Sequence, residues 1–493
     1  MSYLIAIDQG TTGTTSLLLD AKTLEIKAKN KQDYRQIYPK PGLVEHDLND
    51  IWTSVEVSLQ KLFEDAKVNP KQIMAIGITN QRETTCAYTK AGKPLTNAIV
   101  WQDRRTAAYC DSRRADYETV CRHKTGLPLD PYFSGTKMRW MLDHVESVKE
   151  AANKNDLCLS TVDSFLVHRL TAGEFFVTET SNASRTMLMN LSTQQWDKDL
   201  LTFFNIDKNF LPEIKESFTE FGKTKNVGVL PDGIPILSIL GDQQAALFGQ
   251  ACVNVGDLKS TYGTGAFLVL NTGEEIVRSQ TGLLSTIAYT FKGKTIFALE
   301  GSAYIAGAAV QWLRDNLKCI VTSPEVETLA SEVTDLDQMK PLLFLPFFTG
   351  IGTPYWNSDA KAAILGITRG TDNSHIARAC LEGIALSLND SVSSFKKDFP
   401  NLNAIKVDGG ASANNLLMQM QANFSNQKIL RPQVIDTTAY GVAIGCLVAL
   451  GEVSINEMGK YWKLEREFNP ENNSYYPAKK TLWDESIQKL YLS

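Results

Sequence analysis

Ser238-Ile-Leu-Gly-Asp242-Gln243-Gln244-Ala-Ala-Leu-Phe-Gly249 is an apolar, strand-like run that passes into an Ala-rich helical one, with a single carboxylate at the junction. Two Gly/Thr turns flank it, Asp8-Gln-Gly-Thr-Thr12 near the start of the chain and Thr261-Tyr-Gly-Thr-Gly265 just downstream. An Asp where a strand gives way to a helix either caps orphan amides or faces a ligand in a cleft. With phosphate-friendly turns on both sides, the ligand reading of Asp242 is preferred.

Each turn lies between two β-type runs. Leu4 to Asp8 and Ser16-Leu-Leu-Leu-Asp20 frame the first, and Val255 to Leu270 repeats the plan as strand, Gly/Thr turn, strand. Neither turn is a strand-to-helix phosphate loop. The pattern G-x-x-x-x-G-K-[ST] is absent, and Leu268 stands where a dinucleotide fingerprint needs its third Gly. Free amides and hydroxyls in such a hairpin turn can wrap phosphate oxygens as a nest does. The restart near residue 252 predicts two domains, 1–252 and 253–493, as a duplicated α/β fold facing itself across a cleft. The strand and helix alternation between Leu4 and Thr79 agrees.

Composition narrows the partners. A 493-residue chain with 43% hydrophobic content exceeds one ordinary core. A net charge of -5 without a dense Lys/Arg block lacks the footprint of a nucleic-acid or anionic-membrane binder, so a small molecule is expected. Eight scattered cysteines with no C-x-x-C pair fit reduced, mostly buried thiols. No basic, apolar leader opens the chain, and no apolar stretch approaches the ~20 residues of a membrane span, so a cytoplasmic protein is expected.

Further candidates follow from residue chemistry. Asp8, next to the first turn, would sit beside bound phosphates, which makes sense with a magnesium ion held through one carboxylate, water and phosphate; the plain alternative is a turn former. At Asp408-Gly-Gly410 a strand meets two glycines, so backbone can approach a flat ligand, and Asn414 either hydrogen-bonds it or sits exposed in the first helical turn. Arg82 and Glu83 emerge side by side after the Ala75-to-Thr79 strand, where they can bracket a small polyol or form a solvated surface pair. Trp101, Tyr132 and Phe267 are aromatics beside these motifs, either core or ligand wall.

Taken together, the chain resembles the FGGY family of sugar and polyol kinases nearly end to end. The resemblance rests on Asp8 to Thr12, Tyr38 to Gly42 with Val44 to Asp47, Gly77 to Thr85, Asn97 to Gln102, Asp130 to Lys137, Thr180 to Met187, Gly241 to Gln250 and Thr349 to Trp356. Both family signatures are visible, Tyr132 to His144 and Ala362 to Glu382, with Cys380 at a position usually filled otherwise. The resemblance implies two actin-like (ribonuclease-H-like) ATPase domains across a catalytic cleft. It implies ATP-dependent phosphorylation of glycerol to sn-glycerol 3-phosphate, in glycerol uptake and catabolism, by a homo-oligomer (dimer or tetramer). Glycerol would lie against Arg82, Glu83, Tyr132, Asp242 and Gln243, with Trp101 and Phe267 on its carbon edge. ATP would be held by Thr11, Thr12 and Gly13 and by Thr264, Gly307, Gln311, Gly410 and Asn414, with Asp8 accompanying Mg2+ and Asp242 as general base.

Three departures stand out. Thr15 replaces the Arg that many relatives carry after the first turn. Gly222 to Asp232 lacks the Gly/Arg-rich loop that binds fructose 1,6-bisphosphate in some bacterial members, and none of the five histidines stands where phosphotransfer proteins modify others. Two rival readings are a kinase of the same family acting on a pentose, hexose or longer polyol, and a non-catalytic actin-like nucleotide-binding or scaffold protein.

Overall fold

The computed structural model describes residues 2–492. The strand, turn and strand plan occurs twice, as Tyr3–Gln9 with Gly13–Asp20 and as Leu258–Tyr262 with Ala266–Gly273, each pair antiparallel. Both sheets then grow by the same rule. A third antiparallel strand extends each hairpin on one side, Ile26–Asp33 in the first sheet and Lys294–Ala303 in the second. On the other side two parallel strands follow, Ile73–Asn80 then Pro235–Gly241, and Ile405–Asp408 then Ile429–Pro432. A parallel neighbour requires a long crossover connection, and the helix Asn415–Ser425 fills that role between Ile405–Asp408 and Ile429–Pro432 of the second sheet.

This topology decides where the chemistry can sit. Strands that run parallel bring their carboxyl ends to one edge, the edge at which open α/β sheets bind ligands. At the first sheet those ends deliver Gly10-Thr11-Thr12, Gln81-Arg82-Glu83 and Asp242 together. At the second they deliver Gly263-Thr264-Gly265 and Gly409-Gly410. Beyond Asn80 the chain leaves the first sheet for the strand Thr85–Thr89 of a separate four-stranded sheet. Glu83 lies in that transfer with φ at 60°, a left-handed conformation uncommon for a non-glycine residue.

The helix Thr437–Leu450 joins the two halves. It is apolar on nearly every side and ends at Gly451 in the left-handed conformation that commonly terminates helices. All strands of the first sheet precede residue 252 and all strands of the second follow it, but this helix crosses the division and packs on Ile73–Asn80, Pro235–Gly241 and the helix Asp242–Gly249. Glycines permit the approach. A Cβ at Gly249 would collide with the Thr437 carbonyl, one at Gly441 with the Ala245 carbonyl, and one at Gly77 would lie 2.6 Å from the Val442 carbonyl. The hydrophobic cluster around it draws Leu4, Ala6 and Phe248 from one half and Val269, Ala288 and Val442 from the other. Seven of the eight cysteines are buried and all eight are free thiols. Among the described residues no helix is long and apolar enough to cross a membrane.

Candidate active site

Between the two sheet edges lies a cavity of about 330 Å3, lined from the first half by Thr11, Thr12, Arg82, Glu83, Trp101, Tyr132, Asp242 and Gln243, and from the second by Thr261, Gly263, Thr264, Gly265, Phe267 and Tyr304. A second cavity of about 310 Å3 opens beside it, lined by Tyr262, Gly263, Gly307, Gln311, Glu327, Gly410 and Asn414 among others. Gly263 borders both. Every residue expected to hold the acceptor is therefore in the first cavity, together with Thr11, Thr12 and Thr264 of the phosphate turns. Gly307, Gln311, Gly410 and Asn414 meet in the second.

Two faces of the first cavity differ in chemistry. Trp101 meets Tyr132 edge-on at 5.7 Å and Phe267 at 6.2 Å, so three rings from separate parts of the chain make one apolar wall. A charged network adjoins this wall, with the Arg185 guanidinium 5.8 Å over the Tyr132 ring. Arg82 and Glu83 are buried, which excludes a solvated surface pair, and each is held by a partner from elsewhere. Arg82 Nη1 and Nη2 grip Glu300 Oε2 and Oε1 at 2.5 and 3.0 Å, Glu83 Oε1 accepts from Arg185 Nε at 2.6 Å, and Arg185 Nη2 reaches Glu300 at 3.0 Å. Burial alone would raise the Glu300 pKa, but the Arg185 and Arg82 guanidiniums override it and bring it down to about 2. Breaking such a buried pair costs about 3–5 kcal/mol because a charge is left uncompensated. The geometry of Arg82 and Glu83 is thus set before any ligand arrives.

Asp242 is the carboxylate of this group that opens to the cavity, with its side chain 33% exposed. It is not the helix N-cap that its sequence position allowed. Gly241 occupies that position, and Asp242 is the first helical residue, with Oδ1 accepting from the Gln243 amide at 2.7 Å. Arg82 Nε lies 3.1 Å from the same oxygen, an ion-pair contact without hydrogen-bond alignment, since Nε itself remains an unpartnered buried donor. That neighbour fixes the carboxylate in place.

The first phosphate turn is built from below. Gly10 N donates to Gly13 O at 3.0 Å, the Tyr34 hydroxyl reaches the Gly10 and Thr11 carbonyls at 2.6 and 2.8 Å, and Gln36 Nε2 donates to the Thr11 carbonyl at 3.1 Å. With its carbonyls engaged, the turn keeps the Thr11 and Thr12 amides free, and among the described residues none accepts from them. The second turn closes in the same manner, with Gly263 N donating to Gly265 O at 2.9 Å. Backbone donors left open in this way suit phosphate oxygens.

Two of the expected nucleotide contacts also have structural roles of their own. Gly13 lines neither cavity. It is buried in its strand, where a Cβ would meet the Asp33 carboxylate at 2.7 Å, and its carbonyl closes the turn by accepting from Gly10 N. Asn414 is neither simply exposed nor wholly free for a base, because its Oδ1 caps the helix Asn415–Ser425 by accepting from Leu417 N at 2.8 Å, leaving only the amide NH2 for the cavity.

Asp8 is the penultimate residue of the strand Tyr3–Gln9 that leads into the first turn, and among the described residues its side chain makes no hydrogen bond. Burial, then the nearby Asp242 and Asp436 carboxylates, push its pKa up to about 7. A carboxylate without a partner among like charges is a position a divalent cation would relieve. Among the described residues no group of three or more His, Cys, Asp or Glu is placed to hold a metal, so the donor set fits a magnesium ion that brings water and phosphate ligands of its own.

Sequence reasoning did not single out Arg185, Glu300, Lys259 or Tyr304. A lone Glu in the apolar run Phe297-Ala-Leu-Glu300-Gly was the available signal for one of them, since an unpaired carboxylate there would be costly. Lys259 alternates along its strand as an ordinary polar residue would and carried no such mark.

Duplicated sheets closing on a shared cleft, each contributing a phosphate turn, are the architecture of the actin-like ATPase fold. The FGGY family of carbohydrate kinases matches in two parts, its N-terminal domain over residues 3–249 and its C-terminal domain over residues 258–450. The chain belongs to that family. It is 46% identical over 473 residues to the glycerol kinase of Staphylococcus haemolyticus, covering 95% of this chain and 94% of that one. The crystal structure of Plasmodium falciparum glycerol kinase with ADP superposes with a TM-score of 0.90 at 34% identity, covering 99% and 98% of the two chains. A gluconate kinase from Lactobacillus acidophilus, at 23% identity and a TM-score of 0.88, shares the fold.

Proposed function

We propose that this protein transfers the γ-phosphoryl group of ATP to a primary hydroxyl of glycerol, giving sn-glycerol 3-phosphate. The observation that carries this reading is the two-faced first cavity, because a small polyol has a C–H side for Trp101, Tyr132 and Phe267 and a hydroxyl side for Arg82, Glu83, Asp242 and Gln243. The glycerol kinases to which the chain is similar support it. ATP would place its base and ribose against Gly307, Gln311, Gly410 and Asn414, and its phosphates across Gly263 toward Thr11, Thr12 and Thr264.

The chemistry then follows from placement. The acceptor oxygen attacks the γ-phosphorus, the bond from that phosphorus to the bridging oxygen breaks, ADP leaves, and the hydroxyl proton passes to Asp242. A loose transition state asks little of the base until late, so positioning and charge stabilisation do most of the work. Asp8 would hold magnesium, which supplies positive charge to the phosphates. Tyr34, Gln36 and Trp101 keep the first turn in shape, and the Arg82–Glu300 and Glu83–Arg185 pairs keep acceptor-binding groups from reorganising. The chain division at residue 252 and a homo-oligomeric state belong to the same proposal.

Phosphorus NMR of a reaction containing glycerol, ATP and magnesium tests it. Glycerol 3-phosphate should accumulate with ADP in equal amounts. ADP without a phosphorylated acceptor would reject the reading.

A further inference from the structure

Lys259 lies on the strand Leu258–Tyr262 and is fully buried, in contact with residues that line the first cavity. Three oxygens take the three N–H groups of its ammonium: Gln243 Oε1 at 2.5 Å, Thr261 Oγ1 at 2.9 Å and the Phe267 carbonyl at 3.4 Å. All three acceptors belong to residues that line the cavity. Among the described residues no carboxylate comes within ion-pair distance of it. A buried cation is costly unless paired, so its retention beneath the site asks for a purpose other than stability.

Gln243 supplies one. A side-chain amide presents either its carbonyl or its NH2 group to a ligand, and the two faces look nearly alike in shape. With Oε1 occupied by Lys259, the amide cannot turn over without pointing its own donors at an ammonium. Among the described residues its NH2 group has no hydrogen-bond partner, and it belongs to a residue lining the cavity. We propose that Lys259 is a positioning residue of the transfer centre, which locks the Gln243 amide so that its NH2 group donates to an acceptor hydroxyl oxygen. The inference rests on the acceptor reading above and deepens it. The hydroxyl meeting Gln243 accepts a hydrogen bond there and keeps its own proton for another partner.

The same ammonium ties Gln243 of the first half to Thr261 and Phe267 of the second, so the lock spans both halves of the chain. Burial lowers the Lys259 pKa to about 8, while Asp408, Asp242 and Glu300 work to keep it charged and Arg82 opposes them. Protonation of Lys259 is therefore sensitive to the charges that surround the reacting groups.

A double-mutant cycle tests the inference. In the wild-type background K259M should lower kcat/KM for glycerol about 10- to 100-fold, and in a Q243A background about threefold or less, because residues acting as a unit are non-additive. Losses that simply multiply would overturn the lock. Q243E provides a second arm that leaves Lys259 intact. The new carboxylate pairs with the ammonium, so the melting temperature should stay at or above that of the wild type, while loss of the N–H donor lowers kcat/KM at least as far as Q243A does. A Q243E enzyme within threefold of wild type would contradict the proposal. If the wild type phosphorylates a different acceptor, the same cycle run with that acceptor separates failure of the lock from failure of the glycerol reading.

Discussion

The indole Nε1 of Trp101 donates a 3.0 Å hydrogen bond to the hydroxyl of Thr11. One residue thereby forms the apolar wall of the acceptor cavity and also engages the turn that faces the phosphates. A hydroxyl whose lone pair is already taken by a donor is disposed to give its own hydrogen elsewhere, and Thr11 opens to the cleft.

Trp101→Phe keeps an aromatic wall and removes that N–H. A neutral hydrogen bond contributes about 0.5–1.5 kcal/mol, so kcat should fall roughly 2- to 10-fold with KM for glycerol changed by less than about threefold, as for an interaction made in the transition state. Steady-state kinetics at saturating ATP separates the two parameters. A raised KM at unchanged kcat would reduce Trp101 to a wall alone.

Asp242→Asn should fold normally, because Arg82 retains its grip on Glu300 and an amide oxygen can still accept from Gln243 N. Loss of a positioned base lowers kcat about 10²- to 10⁴-fold, with glycerol binding preserved. Single-turnover measurement reads the chemical step directly. A variant with a third of the wild-type rate would remove Asp242 from the role of base.

Thr15 is the antiparallel partner of Asp8, so the two side chains lie on one face of the sheet. An Arg there can reach toward the phosphates. A charge-assisted hydrogen bond at a solvated cleft mouth contributes about 1–2 kcal/mol, so Thr15→Arg should lower Kd for ADP or ATP about 5- to 30-fold and steepen the loss of affinity with salt. Calorimetry at low and physiological salt decides it, and equal affinities at both would place residue 15 away from the phosphates.

Asp8 makes a pH-dependent prediction. Its folded pKa of about 7 lies above the ordinary 3.8, so the ionised group opposes folding. That opposition is absent below pH 4, grows as pH rises toward 7 and is then constant. Asp8→Asn should accordingly raise the melting temperature of the metal-free protein, by an amount that increases between pH 4 and 7 and levels off above. Magnesium should narrow the gap between variant and wild type. An increment independent of pH would show that Asp8 is already ionised in acid.

The parts of this site that a sequence could disclose are those written locally. The two hairpin turns, the strand-to-helix junction at Asp242 and the Gly409-Gly410 approach each need only a few neighbouring residues, and all appear where their patterns stand. Pairings across the fold left no such mark. Arg82 finds Glu300 from 218 positions away and Arg185 finds it from 115, and neither distance is visible until both sheets are assembled. Asn414 serves two ends at once, because a residue suited to a ligand is equally suited to a helix N-cap, and it lines the second cavity while its Oδ1 caps the helix. The crossing helix Thr437–Leu450 was hidden by its own uniform apolarity, which marks burial without saying against which half.

If the cavity lined by Arg82 and Trp101 takes glycerol as phosphoryl acceptor, acceptor profiling by ADP release reads this out. Glycerol should give the highest kcat/KM of a panel containing pentoses, hexoses, longer polyols and the two propanediols. The propanediols should fall roughly 10³- to 10⁵-fold below it, because each leaves buried polar partners unpaired. A pentose or hexose preferred over glycerol, or propanediols that react nearly as well, would contradict the account.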